Sequence, residues 1–207
     1  MEGGAAWRRL HGGTVDLVMD NSGFELFTDL CLADFLLTAG LAATVRLRVK
    51  AEPWFVSDVT PPDFAWTLEQ LATAREPALA EVGARWSAHL SAGRFTLHAD
   101  PFWTLPHTFD RMAEEDAELY AALGQASLVI FKGDLNYRKL VGDLNWEAAA
   151  PLRAAVRGFL PAPLLALRTA KADVVVGLAA GAAEDAAALD AQWMVGGEWG
   201  VVQFVEP

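Results

Sequence analysis

The sequence predicts an α/β protein, a three-layer α/β/α sandwich around a mostly parallel central sheet. Three observations carry that prediction. Apolar runs of strand length alternate with longer stretches whose apolar residues recur at helical spacing, the order that places helices on both faces of a parallel sheet. Asp20, Asp58 and Asp134 each stand at the end of such a run, and ligands of open α/β sheets bind at the carboxyl ends of strands. The 207 residues, 53% hydrophobic and 21% charged, suit one domain with a sizeable core.

Each element has its own signal. Val15 to Met19 is a mostly apolar run that ends at Asp20-Asn21-Ser22-Gly23. Helical spacing follows through Phe24, Phe27, Leu30, Cys31, Phe35 and Leu37, and Gly40 closes the helix as a C-terminal cap. Thr44 to Val49 alternates apolar and charged residues as a second strand does, and the unit closes most easily as a right-handed parallel crossover. Trp54 to Asp58 reads as the end of an extended piece. Pro61-Pro62-Asp63 opens a helix that runs to Ala72, and Pro77 to Leu90 is another, stopped near Gly93. Phe95 to His98 and the Trp103 region read as extended or looped. Glu114 to Leu123 reads as helix, and Ser127 to Phe131 as a strand running into Lys132-Gly133-Asp134. Leu164 to Leu167, Val174 to Val176 and Val201 to Val205 complete the strands, with the Ala-rich stretch Ala179 to Ala191 as a surface loop or helix. Residues 1–14 read as an N-terminal tail and 15–207 as one domain, without internal repeat or linker.

Composition narrows the function. A net charge of −11 argues against nucleic acid as a partner, because that binding needs clustered Lys and Arg. No apolar run reaches the ~18 residues of a membrane span, and the first fourteen residues lack a secretory apolar core. The expectation is a soluble, cytoplasmic protein. Its single cysteine, Cys31, permits no internal disulfide and no Cys-based zinc cage, and is expected to be a buried, inert thiol.

The polar residues next to apolar runs are the candidates for chemistry. Asp20, Asn21 and Asp58 offer two carboxylates and an amide oxygen, a hard set that suits magnesium or manganese better than zinc. The same Asp20 or Asn21 would serve equally as a helix N-cap. Gly23 opens that helix, whose N–H groups could hold a phosphate oxygen; Glu25 either faces the site or complements the helix dipole. In Lys132 to Lys139, Gly133 permits a tight turn, Asp134 and Asn136 offer hydrogen bonds, and Arg138 could grip a phosphate. A turn leading into a solvated helix uses the same letters. Arg168 and Lys171 lie between two expected strands, where Lys171 could neutralise a transferring phosphoryl group or pair with Asp173 or Glu25. The eight tryptophans read as packing, and His98 and His107 as loop or core histidines.

Five segments in this order match something more specific. Asp20-Asn21-Ser22-Gly23-Phe24-Glu25-Leu26, Trp54 to Asp58, Phe102 to Pro106, Lys132 to Leu140 and Arg168-Thr169-Ala170-Lys171-Ala172 together resemble the damage-control phosphatases. The subfamily is the acidic-residue-methyltransferase-like one, marked by its Arg-Thr-x-Lys signature, and the resemblance runs from about Val15 to Phe204.

The resemblance implies a metal-dependent phosphatase acting on phosphorylated sugars of the fructose-phosphate kind, or on damaged phosphometabolites. It implies Asp20, Asn21 and Asp58 as metal ligands, with Mn²⁺, Mg²⁺, Co²⁺ or Ni²⁺ as the ion. Asp20 and Asn21 would also touch the substrate. Asp134, Leu135, Asn136, Tyr137 and Arg138 would contact the sugar phosphate, Lys171 its phosphate, and Glu25 and Arg168 are further candidates for the substrate pocket. The expected catalytic set is Asp20, Asn21, Asp58 and Lys171. Family members carry a helical module ahead of this domain, and with Asp20 so near the start that module is expected to be absent here. Two other readings compete. A carboxyl methyltransferase using S-adenosylmethionine usually presents a glycine-rich turn after its first strand, where Asp20 to Gly23 has one glycine. A truncated, non-catalytic metal-binding domain is the other. A haloacid-dehalogenase-type phosphatase needs a second Asp where Ser22 stands, and is excluded.

Overall fold

The computed structural model describes Leu10 and residues 12–207, and all that follows concerns those residues. Six strands form one sheet: β1 (Gly13–Val18), β2 (Ala42–Lys50), β3 (Phe95–Asp100), β4 (Leu128–Lys132), β5 (Leu164–Thr169) and β6 (Gly200–Val205). Their order across the sheet is β3-β2-β1-β4-β5-β6. Every neighbouring pair is parallel except β5 and β6, which run antiparallel.

Side-chain alternation along the strands divides the core in two. Val15, Leu17, Val45, Leu47, Leu128 and Ile130 meet α1 (Phe24–Thr38), α2 (Pro61–Ala72) and α3 (Pro77–Ser91). Val18, Val129, Phe131, Leu164 and Ala166 face the other way. They pack on α4 (Met112–Glu115), α5 (Ala117–Leu123), α6 (Asp134–Val141) and α7 (Leu152–Ala155). The eighth helix, α8 (Ala182–Leu189), lies in a smaller cluster around Val175 and Trp193. Helices on both faces of a mostly parallel sheet make the expected three-layer, Rossmann-like sandwich.

Several expectations need correcting. Val174 to Val176 is not a strand. The edge of β5 pairs with β6 instead, and the polar backbone of this segment is met by side chains: Tyr137 Oη accepts from the Val176 N–H, and the Val176 carbonyl accepts from the Gln203 amide. Residues 51–58 form bends and turns, not an extended piece, and only Asp58 makes an isolated bridge, to Asn21. The helix expected over Glu114 to Leu123 breaks at Asp116, whose carboxylate caps α5 by accepting from the Leu119 N–H. The buried face of α1 is Leu26, Asp29, Leu30, Ala33, Asp34, Leu36 and Leu37, so Phe24 and Phe35 point outward, and Cys31 is exposed. Aromatic letters misled that phase assignment, because two buried acids occupy the inner face.

Candidate functional site

The sheet order reverses between β1 and β4: the chain runs outward through β2 and β3 on one side and through β5 on the other. The helices that follow β1 and β4 therefore leave on opposite faces, and a crevice opens where they part. A cavity of about 800 Å³ lies there, reached by Asp20, Asn21 and Glu25 from the β1 side and by Lys132, Asp134 and Leu135 from the β4 side. Both α1 and α6 begin at this crevice behind a glycine with positive φ, Gly23 at 67° and Gly133 at 87°. Gly133 has a second reason to be glycine: a Cβ there would collide with the Asp20 carboxylate. Phe24, 81% exposed, stands at the mouth with Phe55 and Val202.

Asp20, Asn21 and Asp58 come together as expected. Asp58 arrives because residues 51–58 fold back across the end of β2: the Asp58 bridge to Asn21 and the Val59 N–H bond to the Asp20 carbonyl fix the loop. Both acids are buried. Asp58 Oδ2 accepts the backbone N–H groups of Trp54 and Phe55, each at 2.8 Å. Between the two carboxylates sits Lys50, only 1% exposed, whose Nζ donates to Asp20 Oδ1 and Asp58 Oδ1 at 2.8 Å each. Burial pushes the Asp20 carboxyl above its ordinary range, and Lys50 offsets part of that rise. Asn21 donates its amide N–H to Glu25 at 2.9 Å and accepts from Ser57 Oγ at 2.7 Å.

The donor chemistry of this corner fits a hard divalent ion. Two buried carboxylates share one ammonium, so the corner carries a surplus negative charge that burial makes costly and a second cation would offset. Among the described residues no group of three or more His, Cys, Asp or Glu side chains is placed to hold a metal ion. The candidate set is two acids and an amide, a sparse oxygen set of the kind that leaves positions to water or substrate.

Lys132 lines the cavity beside this corner. Its Nζ lies 2.8 Å from Asp29 and 3.6 Å from Glu25. Burial alone would lower its pKa, but the two acids hold it above the usual lysine range. Asp29 is 2% exposed and its Oδ2 has no hydrogen-bond partner, so burial pushes its pKa up to about 6 despite Lys132.

On the β5 side, Arg168 is 4% exposed and each of its guanidinium nitrogens has an acceptor. It donates to Asp134 at 2.7 Å, to the Ala172 carbonyl at 2.8 Å and to the Val174 carbonyl, and it stacks 4.5 Å from the Tyr137 ring centroid. Asp134 also accepts the Lys171 backbone N–H. Arg168 thus ties the segment after β5 to the start of α6 and leaves the Lys171 side chain at the cavity. That side chain is exposed, and no ion pair engages it among the described residues, so neither Asp173 nor Glu25 is its partner. Arg138 lines the cavity too, paired with Asp143 through Nε at 2.8 Å and Nη2 at 2.6 Å.

Two expected substrate contacts lie elsewhere. Asn136 and Tyr137 are each 1% exposed and do not line the cavity. The Asn136 amide donates to the Met19 and Lys132 carbonyls, joining the ends of β1 and β4. The Tyr137 hydroxyl donates to Gln203 at 2.9 Å, inside the sheet–helix core. On a helix, residues two and three past Asp134 turn to the sheet, whereas Leu135 and Arg138 stay at the crevice. His98 and His107 also lie outside it, and Trp103 is core.

Sequence reasoning gave no role to Lys50 and none to Lys132 individually. Lys50 ends a strand, where a lysine ordinarily looks like solvated charge; its burial follows from the loop that returns Asp58. The eight-residue spacing to an acid at the end of the next apolar run was the one available signal.

Fold and site together define an α/β-sandwich protein whose polar, cation-bearing crevice lies at the sheet's switch point. Residues 4–186 match the damage-control phosphatase ARMT1-like domain, and the chain belongs to that family. It is 51% identical over 193 residues to damage-control phosphatase ARMT1 of Danio rerio, covering 93% of this chain and 43% of that protein. The Xenopus laevis and Homo sapiens proteins of the same name are 49% identical over 190 residues and 46% over 193, with 92% and 93% of this chain covered and 43% and 44% of theirs. The chain thus spans less than half the length of these relatives. Among solved structures, a DUF89 family protein from Pyrococcus horikoshii aligns at TM-score 0.44 and 16% identity, covering 83% of this chain and 45% of that one. No described helix is long and apolar enough to cross a membrane.

Proposed function

We propose that this chain is the catalytic domain of a metal-dependent phosphatase that hydrolyses small phosphorylated sugars of the fructose-phosphate kind. One observation carries the reading: a single crevice holds an electron-rich oxygen corner at Asp20, Asn21 and Asp58 together with the Lys171 ammonium, which has no ion pair among the described residues. The two belong to β1 and to the end of β5, two strands apart, so roughly 10 Å of sheet separates them. A phosphorylated sugar fits across that span. The family relationship supports the same class of reaction.

Each residue then has a task. Asp20, Asn21 and Asp58 would hold the ion, with Mn²⁺ or Mg²⁺ suited to this oxygen set and Co²⁺ or Ni²⁺ as further candidates. When bound, the ion supplies Lewis-acid polarisation of a phosphoryl oxygen. Lys171 would bind the phosphoryl group and offset charge developing on it, and N–H groups of the first turns of α1 and α6 would add donors. Asp134, Leu135 and Arg138 line the cavity where the sugar would lie, and Glu25 orients Asn21. A net charge of −11 repels anionic substrates at long range, so these local cations matter all the more.

The test is Asp58→Asn, which keeps the side-chain shape for the Trp54 and Phe55 N–H bonds. Mn²⁺-dependent hydrolysis of a fructose phosphate should fall by roughly a hundredfold or more, with Mn²⁺ affinity weakened in parallel. Full turnover in the variant would remove Asp58 from the site. No hydrolysis by the parent chain with any of these metals would favour a binding domain without catalysis.

A further inference from the structure

We infer that Lys139 is a positioning residue for the metal corner: its buried ammonium holds the Trp54 ring, and through it the loop that carries Asp58. The inference rests on the metal-site reading above and deepens it. It also gives a task to the Phe102 to Pro106 segment, which has no residue at the crevice.

Three stretches far apart in the sequence meet at Lys139 Nζ. Lys139 lies on α6 and is 7% exposed. Its ammonium donates to the Trp103 carbonyl at 2.9 Å and to the Leu105 carbonyl at 2.8 Å. The ring centroids of Phe102 and Phe109 lie 5.7 and 5.6 Å away, and that of Trp54 lies 5.2 Å away. All three are within the ~6 Å over which a cation is attracted to an aromatic face. Two of the three N–H donors thus have carbonyl acceptors, and aromatic faces complete the surroundings. The Phe102 to Pro106 segment is the seat of this ammonium.

Such a seat is costly for a charge. No carboxylate pairs with Lys139 among the described residues, and burial, with Lys50 nearby, pushes its pKa down to about 8. A methionine would fill the same space with no charge to desolvate. What the charge adds is its hold on Trp54. Residues 51–57 are all exposed, so this loop has no buried side chain of its own ahead of Asp58. Yet the Trp54 and Phe55 N–H groups are the ones that fix Asp58 Oδ2. Ser57 ties one end of the loop to Ser22 and Asn21, and the Trp54 ring on Lys139 ties the other. Lys139 would therefore shape the metal corner without touching metal or substrate. A lysine needed only for packing would affect the stability of the whole fold and have no particular effect on this loop.

The experiment is amide hydrogen exchange on the full chain without metal, comparing the parent with Lys139→Met, Trp54→Leu and the double variant. In each single variant residues 51–58 should exchange faster by roughly two- to thirtyfold, the range of one cation–π contact, while β4 keeps its protection. The double variant should be no faster than either single one, because both remove the same contact. Trp54→Leu leaves every charge in place and should also weaken Mn²⁺ binding by roughly tenfold, measured calorimetrically. Unchanged exchange at 51–58 in Lys139→Met, faster exchange spread evenly over the chain, or additive effects in the double variant would each overturn the inference. If Lys139→Met does not fold, Trp54→Leu decides, since Trp54 is 44% exposed: normal loop exchange and normal Mn²⁺ affinity count against the inference. A parent chain that binds neither Mn²⁺ nor Mg²⁺ would sink the metal-site reading, whereas the exchange measurement tests the hold of Lys139 on the loop by itself, so the two failures are told apart.

Discussion

Strands β1 and β2 carry two clusters of buried charge, and only one of them opens onto the crevice. Deep in the sheet, Asp16 is fully buried and pairs with Arg46 through one oxygen and with Arg48 through the other, at 2.6 Å. Arg48 continues to Asp100 at 2.9 Å, and Asp100 also accepts the Trp103 indole N–H. Two acids meet two guanidiniums, and charge is balanced within the cluster. At the carboxyl edge of the same strands, Asp20 and Asp58 share the single ammonium of Lys50 and open onto the cavity. The difference between the two is stoichiometry and access. A balanced, enclosed network fixes the register of β1, β2 and β3, whereas an unbalanced one beside a crevice is ready for a further cation.

The comparison breaks if the deep network proves dispensable. Asp16→Ala leaves Arg46 and Arg48 without their shared partner in a buried setting, and should destabilise the fold by ~3–5 kcal/mol. Urea unfolding measures this. Replacing the edge acid with Asp58→Asn should cost less stability and much more function. If Asp16→Ala were as stable as the parent while Asp58→Asn unfolded, the assignment of the two clusters would be reversed.

Lys171 sharpens the other half of the contrast, because among the described residues it is the cavity cation without an ion pair. Lys171→Ala should raise the barrier to sugar-phosphate hydrolysis by ~2–4 kcal/mol, the scale of a lost electrostatic donor. Its thermal midpoint should hardly move, since an exposed side chain with no ion pair among the described residues has little to lose. Mn²⁺ affinity should stay the same or tighten slightly. A lowered midpoint with normal kinetics would return Lys171 to a structural role.

The sheet was legible because its strands are short apolar runs cut off by Asp, Gly and Pro, and the acids at those cuts are the ones that meet at the crevice. What stayed hidden depends on how distant segments return. Lys50 looked like a solvated strand end until residues 51–58 folded over it. Val174 to Val176 has the composition of a strand, but β6 comes back to take the edge of β5. Asn136 and Tyr137 belong to the same motif as Leu135 and Arg138, yet helical geometry sends the first two inward to the core and the second two to the cavity. A motif read letter by letter cannot separate those faces; a helix phase fixed from its Gly133 start would have done so.

Asp29 tests the smallest effect, the cost of an imperfectly paired acid beside the site. Its Oδ1 meets Lys132 at 2.8 Å while Oδ2 has no partner, and burial holds its pKa near about 6 against an ordinary value of 3.8. The folded state therefore binds this proton more tightly than the unfolded state does. Well below pH 3.8 both states are protonated and the group is neutral in both. As pH rises from about 4 through about 6 the unfolded chain ionises first, so stability falls by on the order of 1–3 kcal/mol and then levels off. Asp29→Asn removes that titration while keeping shape. Many carboxylates titrate in this window, so the quantity to measure is the difference in unfolding free energy between parent and variant at several pH values. That difference should move in favour of the variant from pH 4 to pH 6.5. Parallel curves would mean that Lys132 satisfies Asp29 fully, and the unpartnered oxygen would then carry no energetic cost.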